Sequence, residues 1–261
     1  MKKHISYSEL KNWNDCAYKH KLIYIDEIKE FIGNEYTAFG QAIHDTCEQL
    51  LISGSTESES YFKHKFMHHL EDLKCKGVDF KDDLVKSMWE RGPKLPSQLM
   101  PALNNYLGEF EVVETECLLY ERMSSEEDED FYFKGYIDAV LKTKDGKYHI
   151  FDWKTCSWGW DARKKNDRMI TYQLTLYKHY FSVKNKIDPD NIETHFGLIK
   201  RTAKTKQVEI FKVPNGKRKI ENALKLLNVA VYNIQNKRHI KNRLSCTSGY
   251  GCEFYNTKFC R

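Results

Sequence analysis

The chain has 261 residues, 41% hydrophobic and 30% charged, so it can bury a sizeable core without disulfide staples and is neither disordered nor fibrous. Its mean hydropathy of −0.68, with no apolar run near the ~20 residues of a membrane helix and no signal-like start, predicts a cytoplasmic protein without a membrane partner. The net charge of +5 divides unevenly, because residues 1–199 carry a net −7 and residues 200–261 a net +12.

The first hundred residues are predicted to be mainly helical. Ser8 is a suitable N-cap for a helix over 8–25, and apolar residues at helical spacing predict further helices at 37–52 and 60–73. A proline-containing stretch interrupts this pattern before it resumes at 99–110.

The next part of the chain changes to strands. Alternating or continuous apolar runs predict strands at 112–123, 131–143 and 147–155. The acidic segment 124–130 separates the first two, and Asp145-Gly146 is a hairpin turn signal between the second and third. A helix, two strands and a long helix follow, at 169–181, 194–201, 206–213 and 217–239.

This order predicts an α/β (α+β) fold, in which a central mixed β-sheet is flanked by helices. We expect one domain over residues 1–261. Its parts are a mainly helical portion at 1–110, a core at 111–215, and a basic helix with a Cys-rich tail at 216–261.

The segment 135–155 carries the clearest indication of chemistry. Asp152 and Lys154 share one face of a strand, and the predicted hairpin can bring Asp138 beside Asp152. Two carboxylates near an ammonium suit a hard divalent cation that leaves positions for water and a phosphate oxygen. Lys154 can orient or deprotonate that water, or add positive charge to the transition state. A surface ion pair at strand ends explains the pattern equally well, although apolar neighbours make ionised groups costly there.

Two pairs of polar residues at i,i+4 spacing extend this set. His44 can bind a metal through a neutral imidazole, and Glu48 can fix its ring or bind as well, although a lone helical histidine is usually structural. Gln173 and Tyr177 lie on one helix face soon after the Asp-Xaa-Lys strand and can face the same cleft.

Five segments occur in an order that resembles a known family. They are ISYSELKNWNDCAYKHKL, FGQAIHDTCE, GYID, FDWKT and QLTLY. Together they resemble the PD-(D/E)XK nuclease superfamily, and more narrowly the RecB-type exonucleases and their CRISPR-associated relatives. The resemblance covers nearly the whole chain. It implies a restriction-endonuclease-like core and a divalent-metal-dependent DNA nuclease.

The resemblance also implies roles for individual residues. The implied ligands of Mg²⁺ or Mn²⁺ are His44, Asp138, Asp152 and the backbone carbonyl of Trp153. The implied catalytic residues are Asp138, Asp152, Lys154, Gln173 and Tyr177, the last two positioning the DNA backbone or Lys154. Glu48 and Glu116 are further candidates for the acidic cluster.

The 8 cysteines are many for a reducing compartment. Cys246, Cys252 and Cys260 lie near the end of the sequence, at spacings wider than those of common zinc motifs. Many RecB-type nucleases bind a [4Fe–4S] cluster with one N-terminal and three C-terminal cysteines, so the resemblance implies a cluster whose first ligand is Cys16. Such a cluster would join the two ends of the chain. Reduced thiols in an aromatic-rich tail are the alternative, and the other four cysteines are predicted to lie in the core: Cys47, Cys75, Cys117 and Cys156.

A cluster of cations and tryptophans follows the Asp-Xaa-Lys strand. Its members are Trp158, Trp160, Arg163, Lys164, Lys165 and Arg168. Rings among cations suit single-stranded DNA, where bases stack and phosphates are neutralised. Loop packing for the tryptophans, and a solvated basic surface at residues 200–261, are the alternatives.

These features predict a single-strand DNA exonuclease acting in recombination, repair or phage DNA processing, on DNA with free ends. A helicase or recombination protein is an expected partner, because the chain has no P-loop of its own. A structure-specific or CRISPR-associated endonuclease on the same core, and a non-catalytic DNA-binding subunit, remain as alternatives.

Overall fold

The computed structural model describes residues 3–28, 31–54, 57–123, 131–249 and 251–261, so the acidic segment 124–130 lies outside the described residues. The chain divides into two compact units. Unit 1 consists of Met1–Phe31, Leu119–Gly135 and Gly216–Arg261. Unit 2 consists of Ile32–Leu118 and Tyr136–Asn215.

Helices and strands alternate along the described residues, with helices prevailing before the first long strand. The helices are α1 (Tyr7–Asp15), α2 (Ala17–Tyr24), α3 (Glu35–Ser53), α4 (Ser58–Cys75), α5 (Asp82–Arg91), α6 (Leu99–Leu107), α7 (Ala162–Lys165), α8 (Arg168–Asn185) and α9 (Lys217–Gln235). The strands are β1 (His4–Ser6), β2 (Phe110–Arg122), β3 (Tyr132–Thr143), β4 (Tyr148–Cys156), β5 (Ile192–Lys200) and β6 (Val208–Lys212).

Unit 2 is built on a mixed sheet. Strand β4 pairs antiparallel with β3 and parallel with β5, and β6 returns antiparallel to β5. A sheet of this kind, flanked by helices, confirms the predicted fold class. The hairpin between β3 and β4 turns where Asp145-Gly146 predicts it, with Gly146 at φ +85°.

The core of unit 2 joins α3 to one face of the sheet. Phe39 and Ile43 of α3 pack in one hydrophobic cluster with Phe151 and Trp153 of β4, and all four side chains are almost fully buried. Helix α3 begins after Asn34, whose side chain accepts hydrogen bonds from two backbone amides of the first turn. This packing holds α3 against the central residues of β3 and β4.

The first helix of the structure differs from the prediction in its start and in its continuity. The N-cap is Ser6 rather than Ser8, since the Ser6 hydroxyl accepts a hydrogen bond from the amide of Glu9. The predicted helix over 8–25 is wrong as one element, because Cys16 adopts an extended conformation (φ −163°, ψ 113°) and separates α1 from α2. The sequence contains no proline or glycine at this break, and helical spacing alone could not reveal it.

The beginning and the end of the sequence lie together within unit 1. The Tyr18 hydroxyl donates to the carbonyl of Phe259 over 3.2 Å, and the Tyr18 amide donates to the carbonyl of Ile240. Leu22 of α2 shares a small hydrophobic cluster with Phe254 and Cys260. No helix among the described residues is long and apolar enough to cross a lipid bilayer.

Candidate active site

The hairpin of β3 and β4 brings the two predicted aspartates together. Ala139 pairs with Phe151, so the next step of the antiparallel register places Asp138 opposite Asp152. The Trp153 amide donates a 2.6 Å hydrogen bond to Oδ2 of Asp138. The carboxylate of Asp138 therefore bonds to the backbone of the neighbouring strand, beside the residue that the resemblance assigns as a carbonyl ligand.

Lys154 is an ion-pair partner of this acidic pair. Its Nζ lies 2.6 Å from Oδ2 of Asp152, whose side chain is almost fully buried. Burial acts to lower the pKa of Lys154, but the charges of Asp152 and Asp138 outweigh it and hold that pKa above its usual value. Lys154 is therefore a cation, which offsets part of the negative charge of the pair.

His44 approaches the same carboxylates from α3. Its Nδ1 lies 3.4 Å from Oδ2 of Asp138, and the ring also makes a hydrogen bond with the backbone of Trp153. Burial lowers the pKa of His44, which favours the neutral imidazole that a metal needs. Burial, and then the charge of Asp152, raise the pKa of Asp138 well above its usual range.

Glu116 belongs to the same acidic environment. Burial raises the pKa of Glu116, and the negative charges of Glu48, Asp45 and Asp152 raise it further. The four carboxylates are therefore close enough to influence one another. Glu116 has a left-handed backbone (φ +46°) inside β2. Glu48 accepts a hydrogen bond from the Thr115 hydroxyl over 3.3 Å. Asp45 was not predicted for this cluster, although it directly follows His44 in the sequence.

Gln173 and Tyr177 of α8 form a pair close to the aspartates. The amide nitrogen of Gln173 donates to the Tyr177 hydroxyl over 3.2 Å. Burial, followed by the charge of Asp152, raises the pKa of Tyr177 above its usual value, so the phenol stays protonated and keeps a donor. Tyr177 therefore lies within the electrostatic influence of Asp152, and Gln173 contacts Tyr177.

The donor set fits a hard divalent cation. Asp138 and Asp152 supply carboxylate oxygens and His44 a neutral imidazole, while Lys154 provides one positive charge against the cluster. Oδ2 of Asp152 is buried, and the Lys154 ammonium group lies 2.6 Å from it. One lysine among several carboxylates leaves a negative field, which a bound cation would stabilise.

The predicted DNA-binding cluster is divided between exposed and packed side chains. Trp158 is 74% exposed, whereas the Trp160 ring packs edge-on against Phe196 at 5.1 Å between ring centroids. Lys164 lies 4.8 Å over the Trp160 ring, and Lys165 forms an ion pair with Glu209. Arg163 and Arg168 are exposed at the starts of α7 and α8.

The four cysteines of the predicted cluster all lie in unit 1 as free thiols. The amide of Asn242 donates to Cys16 Sγ over 3.3 Å, and the Cys252 amide donates to the carbonyl of Cys246. Cys16, Cys246 and Cys260 are buried, and Cys252 is partly buried. Of the four cysteines predicted for the core, Cys47 and Cys117 are buried, Cys156 is only partly buried, and Cys75 is exposed at the end of α4.

Comparison with known proteins identifies the family of the chain. The family model of the PD-(D/E)XK nuclease superfamily matches residues 4–256. The structure of a “putative exonuclease” from Eubacterium rectale aligns with a TM-score of 0.57 at 10% identity, covering 94% of this chain and 86% of that chain. The structure of SSO0001 aligns with a TM-score of 0.45 at 13% identity, covering 97% and 84%. No curated protein matches the sequence.

The chain therefore belongs to the PD-(D/E)XK nuclease superfamily. Nucleases of this superfamily use divalent metals, and the mixed sheet with flanking helices has the superfamily's restriction-endonuclease-like fold. The aspartates and the lysine of β3 and β4 occupy the segment in which the sequence resembles the superfamily motif.

Proposed function

We propose that the protein is a divalent-metal-dependent DNA nuclease of the RecB-like branch, and that it degrades single-stranded DNA from free ends. One observation carries the proposal. Asp138 of β3 lies opposite Asp152 of β4, whose carboxylate pairs with Lys154, and Nδ1 of His44 lies 3.4 Å from Asp138.

The residues that would hold Mg²⁺ or Mn²⁺ are His44, Asp138, Asp152 and the carbonyl of Trp153. When bound, the cation supplies positive charge to the phosphoryl group and lowers the pKa of a water molecule. The hydrogen bond from the Trp153 amide holds Asp138 in place, and the neutral ring of His44 leaves a nitrogen lone pair for a ligand bond.

Lys154 supplies the general acid–base and electrostatic part of the reaction. Its ammonium group lies against Asp152, where it can orient the attacking water or stabilise the charge that develops on the phosphoryl oxygens. Gln173 and Tyr177 present an amide and a protonated phenol near Asp152, and both groups can donate to a phosphate oxygen or hold the lysine.

Single-stranded DNA fits the exposed aromatic and basic residues that follow β4. Trp158 offers an uncovered ring for base stacking, and Arg163, Lys164 and Arg168 offer cations for neighbouring phosphates. Free single-stranded ends would come from a helicase or recombination protein acting in the cytoplasm. The roles in recombination, repair or phage DNA processing are part of this proposal.

A [4Fe–4S] cluster held by Cys16, Cys246, Cys252 and Cys260 is a further part of the proposal. Its support is that all four residues belong to unit 1, where the first and last segments of the sequence contact each other. An amide hydrogen bond to Cys16 Sγ is of the kind that tunes cluster thiolates. Anaerobic purification followed by iron and sulfide analysis tests this part, and colourless protein that contains zinc instead would contradict it.

The nuclease proposal is tested with matched DNA substrates. Purified protein is incubated with Mg²⁺ or Mn²⁺ and with linear single-stranded, linear double-stranded or circular single-stranded DNA. We expect end-labelled linear single strands to be degraded progressively and circles to persist. Cleavage of circles at the same rate would point to the endonuclease alternative. Binding without cleavage under all metal conditions would indicate the non-catalytic subunit.

A further inference from the structure

A second group of metal-ligating side chains lies on the other face of the sheet in unit 2. His149 precedes Asp152 by three residues in β4, so their side chains project from opposite faces. The parallel register places Glu193 of β5 beside His149, and His195 beside Phe151. Three residues of adjacent strands therefore share one face.

The ligand atoms of this group converge. Nδ1 of His149 lies 3.1 Å from Nε2 of His195, and 4.0 Å from Oε2 of Glu193. Within the part of the chain that the structure describes, this is the one group of three histidine, cysteine or acidic side chains whose ligand atoms all lie within 4.8 Å of one another. We propose that His149, Glu193 and His195 bind a zinc-like divalent transition-metal ion at a site separate from the catalytic one.

The distances suit such an ion. Bonds of about 2.0–2.2 Å in a tetrahedral arrangement separate neighbouring ligand atoms by about 3.3–3.6 Å. The separations of 3.1 Å and 4.0 Å lie on either side of that range, and no two of the three ligand atoms are more than 4.8 Å apart, so the Glu193 carboxylate would move towards the two rings for all three ligands to bind one ion. Two histidines and one carboxylate leave a fourth position for water.

The outer nitrogens of both rings already have oxygen partners. Nε2 of His149 lies 3.1 Å from the Thr143 hydroxyl, and Nδ1 of His195 lies 3.3 Å from the Tyr106 hydroxyl. The Thr143 hydroxyl donates to Asp145, so it accepts from His149 and leaves Nδ1 of that ring with a lone pair. A metal-bound histidine normally donates its other N–H to such an oxygen, which fixes the ring.

The protonation states of the three ligands also suit a metal ion. Burial, together with the neighbouring His149, lowers the pKa of His195 to about 3, and burial lowers the pKa of His149 as well. Both rings are therefore neutral. Without a metal, Nε2 of His195 donates to Nδ1 of His149, and a bound ion would replace this shared proton once His195 carries its proton on Nδ1, towards the Tyr106 hydroxyl. Partial burial acts to raise the pKa of Glu193, but the hydrogen bond from Lys212 outweighs burial and keeps that pKa below its usual value. Lys212 contacts Oε1 at 2.7 Å and Lys147 lies 3.6 Å from it, so Oε2 remains on the histidine side.

An entry route is present. A groove of about 720 Å³ reaches His149 and Glu193, and Tyr106, Thr143 and Lys147 also line it. His195 lies behind them and is 1% exposed. A small ion can enter this groove from solvent and reach the side chains of His149 and Glu193.

Cobalt binding tests the site without reference to nuclease activity. The full chain carrying Asp138→Asn, Asp152→Asn, Cys16→Ser and Cys252→Ser, which removes the two carboxylates of the proposed catalytic site and two thiolates of the proposed cluster, is freed of metal and titrated with Co²⁺. We expect one equivalent to bind with the visible absorption bands of a four-coordinate ion, and Zn²⁺ to displace it. Adding His149→Asn or Glu193→Gln should weaken binding at least tenfold, and adding the matched exposed-surface change His68→Asn should not.

Circular dichroism in chelator shows whether each variant is folded. If His149→Asn fails to fold, Glu193→Gln decides the question, because the Glu193 side chain is only partly buried. The proposal is overturned if the parent of this series binds no Co²⁺, or if Glu193→Gln binds it with unchanged affinity and spectrum. Loss of nuclease activity plays no part in either outcome, so failure of this site and failure of the proposed function remain distinguishable.

Discussion

The backbone amide of Trp153 donates to Oδ2 of Asp138, so the strand that carries Asp152 also fixes the carboxylate of its neighbour. The Trp153 side chain meanwhile lies fully buried, with its ring stacked on Phe151. Trp153 therefore links the core of unit 2 to the position of Asp138. A displacement of the Trp153 ring is expected to move the backbone amide and with it the Asp138 carboxylate.

Replacing Lys154 with methionine is expected to reduce cleavage of single-stranded DNA by about 10²–10⁴-fold while leaving DNA affinity nearly unchanged. Methionine retains an unbranched side chain of similar length but has no charge. Single-turnover cleavage and a separate binding measurement in Ca²⁺ or chelator test the two effects. Lys142→Met is the matched control, since Lys142 lies in β3 at 3.8 Å from the exposed Glu111. Equal cleavage by Lys154→Met and the control would refute the assigned role.

Asp138 makes the stability of metal-free protein depend on pH. Its folded pKa is raised above 3.8 by burial and by Asp152, so the folded state retains a proton that the unfolded state loses. The free energy of unfolding therefore falls as pH rises from 3.8 towards the folded pKa. Asp138→Asn cannot ionise and escapes this loss. In chelator near neutral pH we expect the variant to melt higher than the parent, by ~2–4 °C for each kcal/mol gained.

The difference in melting temperature between Asp138→Asn and the parent should shrink as pH falls to about 4, because both side chains are then neutral. Thermal melting at several pH values measures it. A constant difference across that range would show that the carboxylate does not titrate as burial requires.

Gly197 leaves room for the ring of Trp153. A Cβ at this position would meet two ring carbons of Trp153 at 2.4 Å, so Gly197→Ala must displace the ring or the strand. We expect a loss of about 1–3 kcal/mol in stability, seen by denaturant unfolding, together with reduced cleavage. Gly216→Ala is the control, because a Cβ there meets nothing within 4 Å. A fully stable and active Gly197→Ala would show that the ring does not position the site.

Trp158 is expected to stack on a base of single-stranded DNA. Trp158→Ala should weaken binding by about 1–3 kcal/mol, and Trp158→Phe should retain most of the affinity. Lys164→Ala should instead reduce the salt dependence of binding. Fluorescence anisotropy at several salt concentrations separates these effects. Unchanged affinity in Trp158→Ala would exclude this loop from the DNA path.

The proposed iron–sulfur cluster predicts different results for two cysteines. Cys252→Ser is expected to lower the iron content and the melting temperature of anaerobically purified protein, because a cluster ligand is lost. Cys75→Ser is the control, since that thiol is exposed at the end of α4. Iron analysis and thermal melting of both variants measure the contrast. The same iron content in both variants would show that Cys252 is not a cluster ligand.

The sequence could predict the elements that local spacing encodes. The alternation of β3 and β4, and the Asp-Gly turn between them, were sufficient to predict that Asp138 and Asp152 lie side by side. The helical spacing over 37–52 predicted α3, which the structure extends to Glu35–Ser53. These features depend on interactions between residues close in the chain.

Other features depend on contacts that no local pattern contains. The break of the first helix at Cys16 coincides with contacts from Ile240 and Asn242, more than 220 positions later. The group at His149, Glu193 and His195 requires the register of two parallel strands joined through α8. His149 lies between Tyr148 and Ile150, and His195 precedes Phe196, so each histidine resembles a core residue of its strand, and local spacing does not connect the two.

The division into two units has a consequence for synthesis. Unit 2 is contained within Ile32–Asn215, whereas unit 1 needs Gly216–Arg261 to join Met1–Phe31. A growing chain that has reached Asn215 already holds every residue of the candidate active site, but α1 and α2 still lack the partners of Tyr18 and Cys16. Unit 1 therefore completes its packing last. We expect the apolar side chains of α1 and α2 to stay exposed to solvent until Gly216–Arg261 is synthesised, while unit 2 folds.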